Sequence, residues 1–170
     1  FMESGARGSG SYIGSGQILT AFHVVDSHII QKDRIFYAFN DVLHECTMVK
    51  YSKELDLAIL KMNIPTGKHV LKFASKPPKI GDKVYSIGFH FGLPVLKVAS
   101  QGHITNIVNK DGVKLMLFDA PINSGASGGA ILNENFEIIG VNQMIYTRTG
   151  DWAGIGICNH FEDFAGFIHE

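Results

Sequence analysis

The stretch FDAPINSGASGGAILNENFEIIGVN, residues 118–142, places two serines and three glycines (INSGASGG, 122–129) between two apolar runs. Runs of this length and content predict two β-strands joined through a tight Gly/Ser turn. Glycine permits backbone conformations and close approaches that a side chain would block. Outward from this stretch the hydrophobic period stays close to two. SYI, QILTAF, DRIFYAF, VLHECTMVKY, LAILKM and HVLKF are strand candidates in the first half. KVYSIGF, LKVASQGHITNIV, VKLMLFDA, GAIL, EIIGVNQMIY and AGIGI follow in the second. Turn signals separate them: PTG at 65–67, KDG at 110–112, NEN at 133–135 and RTGD at 148–151.

About a dozen short strands at this spacing predict an all-β fold of the sandwich or barrel-pair kind. ASKPPKIGD, residues 74–82, with two prolines and a glycine, separates the strand groups. The expected organisation is a first β-unit over 1–73, a linker over 74–82, a second β-unit over 83–158 and a short helix over 159–170. In the last segment Phe161, Phe164, Ala165 and Ile168 recur at helical spacing, and Asn159 with Glu162 has the form of a capping box. His160 and His169 flank that helix and are expected to face solvent.

A chain of 170 residues buries roughly 70% of its unfolded surface on folding, so it needs neither disulfide nor metal to hold a core. A net charge of −1 leaves no electrostatic footprint for nucleic acid or an acidic membrane surface. Cys46 and Cys158 are too few and too far apart for a disulfide framework, and each sits in a strand-like run as a small core residue. No histidine or cysteine pair has metal-ligand spacing, and no cofactor motif is present. Opening on Phe1-Met2, the chain reads as an internal piece of a longer protein or as one carrying an added leading residue. Without a leader or an apolar span, localisation is undetermined, with a slight lean to the cytoplasm.

The Gly/Ser turn is compatible with chemistry. A serine hydroxyl needs a neighbouring base to take its proton, and the base needs an orienting acid. The negative oxygen formed on an attacked carbonyl needs fixed N–H donors. GASGG supplies that form around Ser127, with Gly125 before it and Gly128-Gly129 after, whereas Ser124 lies outside the turn. TAFHVV offers His23 directly after a strand, and LDLAIL offers Asp56 at the mouth of another; Asp26 and Glu54 compete for the acid's place. The resulting order of His, Asp and Ser is that of chymotrypsin-type enzymes.

The chain resembles the trypsin/chymotrypsin-fold serine peptidases and, among them, the HtrA/Deg-type protease domain. GSGSYIGSGQILTAFHVVD, LDLAIL, GDKVYSIGFHFGL, FDAPINSGASGGAILNENFEIIGVN and GIGI are similar to five ordered blocks of that family. The resemblance implies two six-stranded antiparallel β-barrels with the active site in the cleft between them. It implies a serine endopeptidase acting through an acyl-enzyme. Ser127 is the implied nucleophile, His23 the general base, Asp56 its orienter, and the N–H groups of Gly125 and Ser127 the oxyanion hole. A protein or peptide substrate would add as an extended strand along 142–145.

Departures from the family pattern also inform. Ser124 stands where the family has Pro. Ala126 stands where trypsins have the Asp that pairs with a freed N-terminal amine, so activation by that route is disfavoured. No PDZ domain follows within these residues, and the oligomeric state is open. Pro121 occupies the place of trypsin's charged pocket residue. Pro121, Ile122, Gln143, Met144 and Ile145 therefore predict a preference for small to medium apolar P1 residues. His90, in GFHFGLP, borders the implied site and reads as structural. Two rival readings remain: a catalytically silent two-barrel peptide-binding module, and a viral or phage polyprotein-processing protease.

Overall fold

In the computed structural model, residues 1–40, 42–63, 69–92, 97–147 and 152–169 are described, with the backbone alone at 92, 144–147, 152 and 153. The first sheet contains β1 (Ser11–Gly14), β2 (Gln17–Ala21), β3 (Ile35–Phe39), β4 (Val42–Ser52) and β5 (Leu57–Met62), in the antiparallel order β1-β2-β5-β4-β3. The second contains β6 (Lys83–Phe89), β7 (Lys97–Lys110), β8 (Val113–Phe118), β9 (Ala130–Leu132), β10 (Ile138–Thr147) and β11 (Trp152–Asn159). Those six close into a barrel in the order β10-β11-β8-β7-β6-β9. A five-residue helix α1 (Ser27–Gln31) lies between β2 and β3, and α2 (Phe161–His169) ends the chain. The all-β, two-unit fold with a short C-terminal helix is thus present.

The period-two pattern explains the strands. In β6, KVYSIGF, burial alternates residue by residue, with Val84, Ser86 and Gly88 inward. In β5, LAIL is buried throughout, because that strand is central and covered on both faces. Register shifts between Ile104 and Asn106 and between Asn142 and Met144 supply bends that a closing barrel needs.

The first unit differs from the expected six-stranded barrel: its described strands number five and leave the sheet open. HVLKF, the expected sixth strand, divides its hydrogen bonds between the two units. Leu71 N–H donates to Tyr12 on β1 at 3.2 Å. Ile138 N–H donates to the Lys72 carbonyl at 2.7 Å, and Ala74 N–H to the Ile138 carbonyl at 3.0 Å. Divided in this way, the segment extends neither ladder beyond the single Phe73–Ile138 bridge. The gap leaves a cavity of about 590 Å³, walled by Tyr12, Ile18, Val24, Ile35, Leu60 and Met62 among others.

Two hydrophobic clusters form the core. One joins Leu19, Leu57 and Ala58 of the first sheet to Leu132, Ile138 and Val141 of the second. The other, with Val84, Ile104, Met116, Phe118, Ile131 and Ile139, fills the closed barrel. Helix α2 buries Phe164 and Phe167 in the first cluster. A fully buried Phe contributes about 1.5–3 kcal/mol, so the helix locks the units together. Its start departs from the capping-box expectation, because the Asn159 amide is turned to the Leu55 carbonyl. His160 caps the helix instead, accepting the Glu162 N–H on Nδ1 at 3.3 Å. That role buries His160, against the expectation that it faces solvent, while His169 is exposed. Cys46 and Cys158 are buried free thiols, one in each cluster.

Candidate active site

His23 sits in a 3₁₀ turn, Phe22–Val24, that directly continues β2. Phe22 and Val24 are buried, which leaves the histidine between them turned outward. Asp56 occupies the turn into β5 with φ of 51°, the left-handed region. A non-glycine residue held there costs about 1–3 kcal/mol, and Asp is among the more tolerant types. The compensation is local. Phe22 N–H donates to the Asp56 carbonyl at 3.1 Å, and His23 N–H to Oδ1 at 2.8 Å. The second carboxylate oxygen, Oδ2, lies 2.7 Å from His23 Nδ1.

A carboxylate at Nδ1 holds the proton on that nitrogen, so a neutral imidazole presents Nε2 as an acceptor. The same hydrogen bond raises His23 above the ordinary histidine value of 6.5, against the opposing effect of burial; the charges on Asp56 and Asp26 add to the rise. Of the competing acids, Glu54 accepts instead from Ser52 Oγ at 3.2 Å.

Ser127 lies on the loop between β8 and β9, which is pinned to β10. Gly128 N–H donates to the Asn142 carbonyl at 2.7 Å, and Asn142 N–H to the Gly129 carbonyl at 2.8 Å. Gly128 has φ of 85°, and a Cβ there would overlap Ser9 O and Thr20 Oγ1, so only glycine fits. Two peptide planes in the loop are held by their carbonyls. Phe91 N–H donates to Ser124 O at 2.5 Å, and Gly129 N–H to Ala126 O at 3.0 Å. In a trans peptide the N–H points opposite to the C=O, so the N–H groups of Gly125 and Ser127 face the other way. Among the described residues neither donates to a protein acceptor.

Ser127 Oγ donates to the Gln143 carbonyl at 3.1 Å. Among the described residues no hydrogen bond joins it to His23. The structure therefore brings His23 and Asp56 into direct contact and holds the Ser127 hydroxyl on β10. Ser124 contributes its carbonyl to Phe91, and Ala126 packs, buried, against Gly88.

Ile122 is 1% exposed, inside the second core cluster, and approaches Gly156 beside Phe118. The Gln143 side chain is buried and donates to the Leu55 carbonyl at 2.7 Å. The side chains of Met144 and Ile145 lie outside the described residues. His90 is buried with Nδ1 3.3 Å from the Asn123 amide, and burial pushes it below the ordinary histidine value. Among the described residues no group of three or more His, Cys, Asp or Glu is placed to hold a metal.

Sequence reasoning passed over Ser9. Its N–H donates to Ser127 O at 2.7 Å, its hydroxyl to Gly125 O at 2.7 Å, and Phe89 N–H donates to that hydroxyl at 2.8 Å. Ser9 thus ties the amino-terminal segment to both sides of the Ser127 loop. The only sequence signal is its flanking glycines: a Cβ at Gly8 would crowd Val24 and Ser127 O, and one at Gly10 would crowd Ile18.

Comparison with known proteins places the chain. The sequence profile of the trypsin-like peptidase domain matches residues 8–141. A probable periplasmic serine endoprotease, DegP-like, of Buchnera aphidicola subsp. Baizongia pistaciae is 33% identical over 160 residues, covering 89% of this chain and 33% of that protein. Magnetosome formation protease MamE of Magnetospirillum gryphiswaldense is 34% identical over 155 residues, covering 83% and 19%. The chain spans about a third of the length of its DegP-like relatives. The active form of Rv3671c protease from M. tuberculosis superposes with a TM-score of 0.82 at 24% identity, covering 95% of this chain and 72% of that one. The HtrA-type protease AlgW with a decapeptide gives 0.77 at 28% identity, covering 96% and 52%.

These names correct the lean towards the cytoplasm, because the DegP-like relatives are periplasmic endoproteases. The lack of a leader within these 170 residues carries no information on location. The HtrA-type resemblance drawn from five sequence blocks agrees with both relatives and folds. The chain belongs to the trypsin-like peptidase domain family.

Proposed function

We propose that this chain is the catalytic domain of an HtrA-type serine endopeptidase that hydrolyses peptide bonds through an acyl-enzyme. The observation that carries the reading is the two-point grip of Asp56 on His23, by Oδ1 on the backbone N–H and Oδ2 on Nδ1. That grip leaves Nε2 as the base, which a merely structural histidine does not require. Ser127 Oγ attacks the scissile carbonyl, His23 takes its proton and returns it to the leaving amine, and water repeats the sequence to release the acid. The N–H groups of Gly125 and Ser127 receive the developing oxyanion; losing one such donor costs about 2.7–4 kcal/mol of transition-state stabilisation.

A substrate enters as an extended strand along 142–145. On that side β9 stops at the Ala130–Val141 pair, which leaves the rest of β10 without a strand neighbour there among the described residues. An incoming N–H competes for the Gln143 carbonyl and displaces the Ser127 hydroxyl towards His23. The P1 preference is small to medium apolar and soft, because Pro121 offers no charge to a Lys or Arg side chain and an apolar pocket separates neighbouring aliphatics by only ~1–3 kcal/mol. The relatives' names support a periplasmic setting. Cleavage of a peptide library, with fragments identified by mass, tests this reading. Turnover is expected to fall by about 10³-fold or more in Ser127→Ala, with apolar residues enriched at P1. Equal cleavage by wild type and Ser127→Ala contradicts it.

A further inference from the structure

The carbonyl of Leu55, in the peptide directly ahead of Asp56, accepts two side-chain amides from the second barrel. Gln143 on β10 donates through Nε2 at 2.7 Å, and Asn159 at the end of β11 donates through Nδ2. Both donors are buried, at 6% and 0% exposure. The Leu55–Asp56 peptide is planar, so rotating its carbonyl rotates its N–H and changes the φ of Asp56. That N–H reaches Lys53 O at 3.3 Å, and the φ is the left-handed 51°. A carbonyl fixed from two directions therefore holds Asp56 in the conformation that aims both oxygens at His23. Gln143 also reaches the nucleophile, since its backbone carbonyl accepts Ser127 Oγ at 3.1 Å.

We propose that Gln143 and Asn159 are positioning residues that clamp the Leu55 carbonyl and so hold the His23–Asp56 pair of the open sheet in register with Ser127 of the closed barrel. The inference rests on the peptidase reading above. Packing alone accounts poorly for the pair. Asn159 Oδ1 is buried without a partner among the described residues, and an apolar side chain of the same size would carry no such unpaired group. The amide is retained for the donor it supplies to Leu55.

Gln143→Met and Asn159→Leu, made singly and together, remove the donors while nearly keeping volume. Two readouts apply: kcat and KM on a cleaved peptide, and the NMR titration of His23 in a Ser127→Ala background, which needs no turnover. The charged groups facing His23 are Asp56 and Asp26, and neither is altered. Each single variant is expected to lower kcat about 5-fold with KM within about 2-fold, and the pair to lower kcat about 30-fold or more. The His23 midpoint should drop towards 6.5 as the Asp56 contact loosens. Where Gln143→Met does not fold, Gln143→Asn keeps the amide but falls one methylene short of Leu55, with the same expectation. A folded double variant with unchanged kcat and an unchanged His23 titration overturns the clamp. So does a rise in KM at constant kcat, which would make Gln143 a substrate contact. Absence of turnover even in wild type counts against the peptidase reading, while the titration still tests the clamp.

Discussion

The two β-units solve the same problem differently. The second closes six strands into a barrel, and its loop 122–129 is stitched to its own strand β10. The described strands of the first number five and leave a cavity where a sixth would close it. Yet the first unit carries the residues whose alignment is most demanding, His23 and Asp56. Rigidity is therefore supplied from outside that unit, by side-chain amides of β10 and β11 on Leu55 and by Phe164 and Phe167 in the shared core, while Ser9 of the first unit braces the loop 122–129 in return. An open sheet can hold a His–Asp pair in place when a closed neighbour braces it.

The largest effect should come from the seam between the units. Gly128→Ala puts a Cβ into Ser9 O and Thr20 Oγ1 at a φ of 85°. It should destabilise the fold by roughly 3 kcal/mol or more, lowering Tm by about 6–12 °C, and abolish cleavage. Gly112→Ala, in the β7–β8 turn, also has positive φ but meets nothing within 4 Å. It should lower Tm by only about 2–4 °C, from backbone strain alone. Thermal unfolding of the two variants makes the comparison; equal losses would show that the seam is no tighter than a free hairpin.

Much of this was legible in sequence. Eleven of the twelve expected strands form, because period-two burial is a local signal that each run carries for itself. HVLKF carries the same signal and fails as a strand, since its partners β1 and β10 lie in different units and neither takes the whole segment. Asn159 looked like a helix cap because local pattern ranks a neighbour three residues away above a carbonyl at Leu55, 104 residues distant in the chain. Ser9 was invisible for a related reason: a serine among glycines reads as a flexible turn until the loop it supports has folded over it. Ile122 reads equally well as pocket wall or core, and it is buried in the core because Gly156 leaves room for it.

A smaller effect concerns charge within the open sheet. His23 is held above 6.5 by Asp56, so the acidic limb of the kcat/KM profile should have its midpoint above 6.5, with activity rising as the base deprotonates. The same raised value makes the His23–Asp56 pair a stability contribution present in full below pH 6.5 and lost as pH climbs through the folded-state value. The imidazole is 44% exposed, so solvent screens the pair and the change in Tm should be slight. A rate profile flat from pH 6 to 8 would remove His23 from the base's role.

The central claim is that the open sheet's His23–Asp56 pair activates Ser127 of the closed barrel. Labelling with a fluorophosphonate probe, followed by peptide mapping, tests it most directly. The account predicts one adduct, on Ser127, retained in Ser124→Ala and lost in both Ser127→Ala and His23→Ala. A folded wild-type chain that takes no label, or one that takes it on Ser124, contradicts the claim.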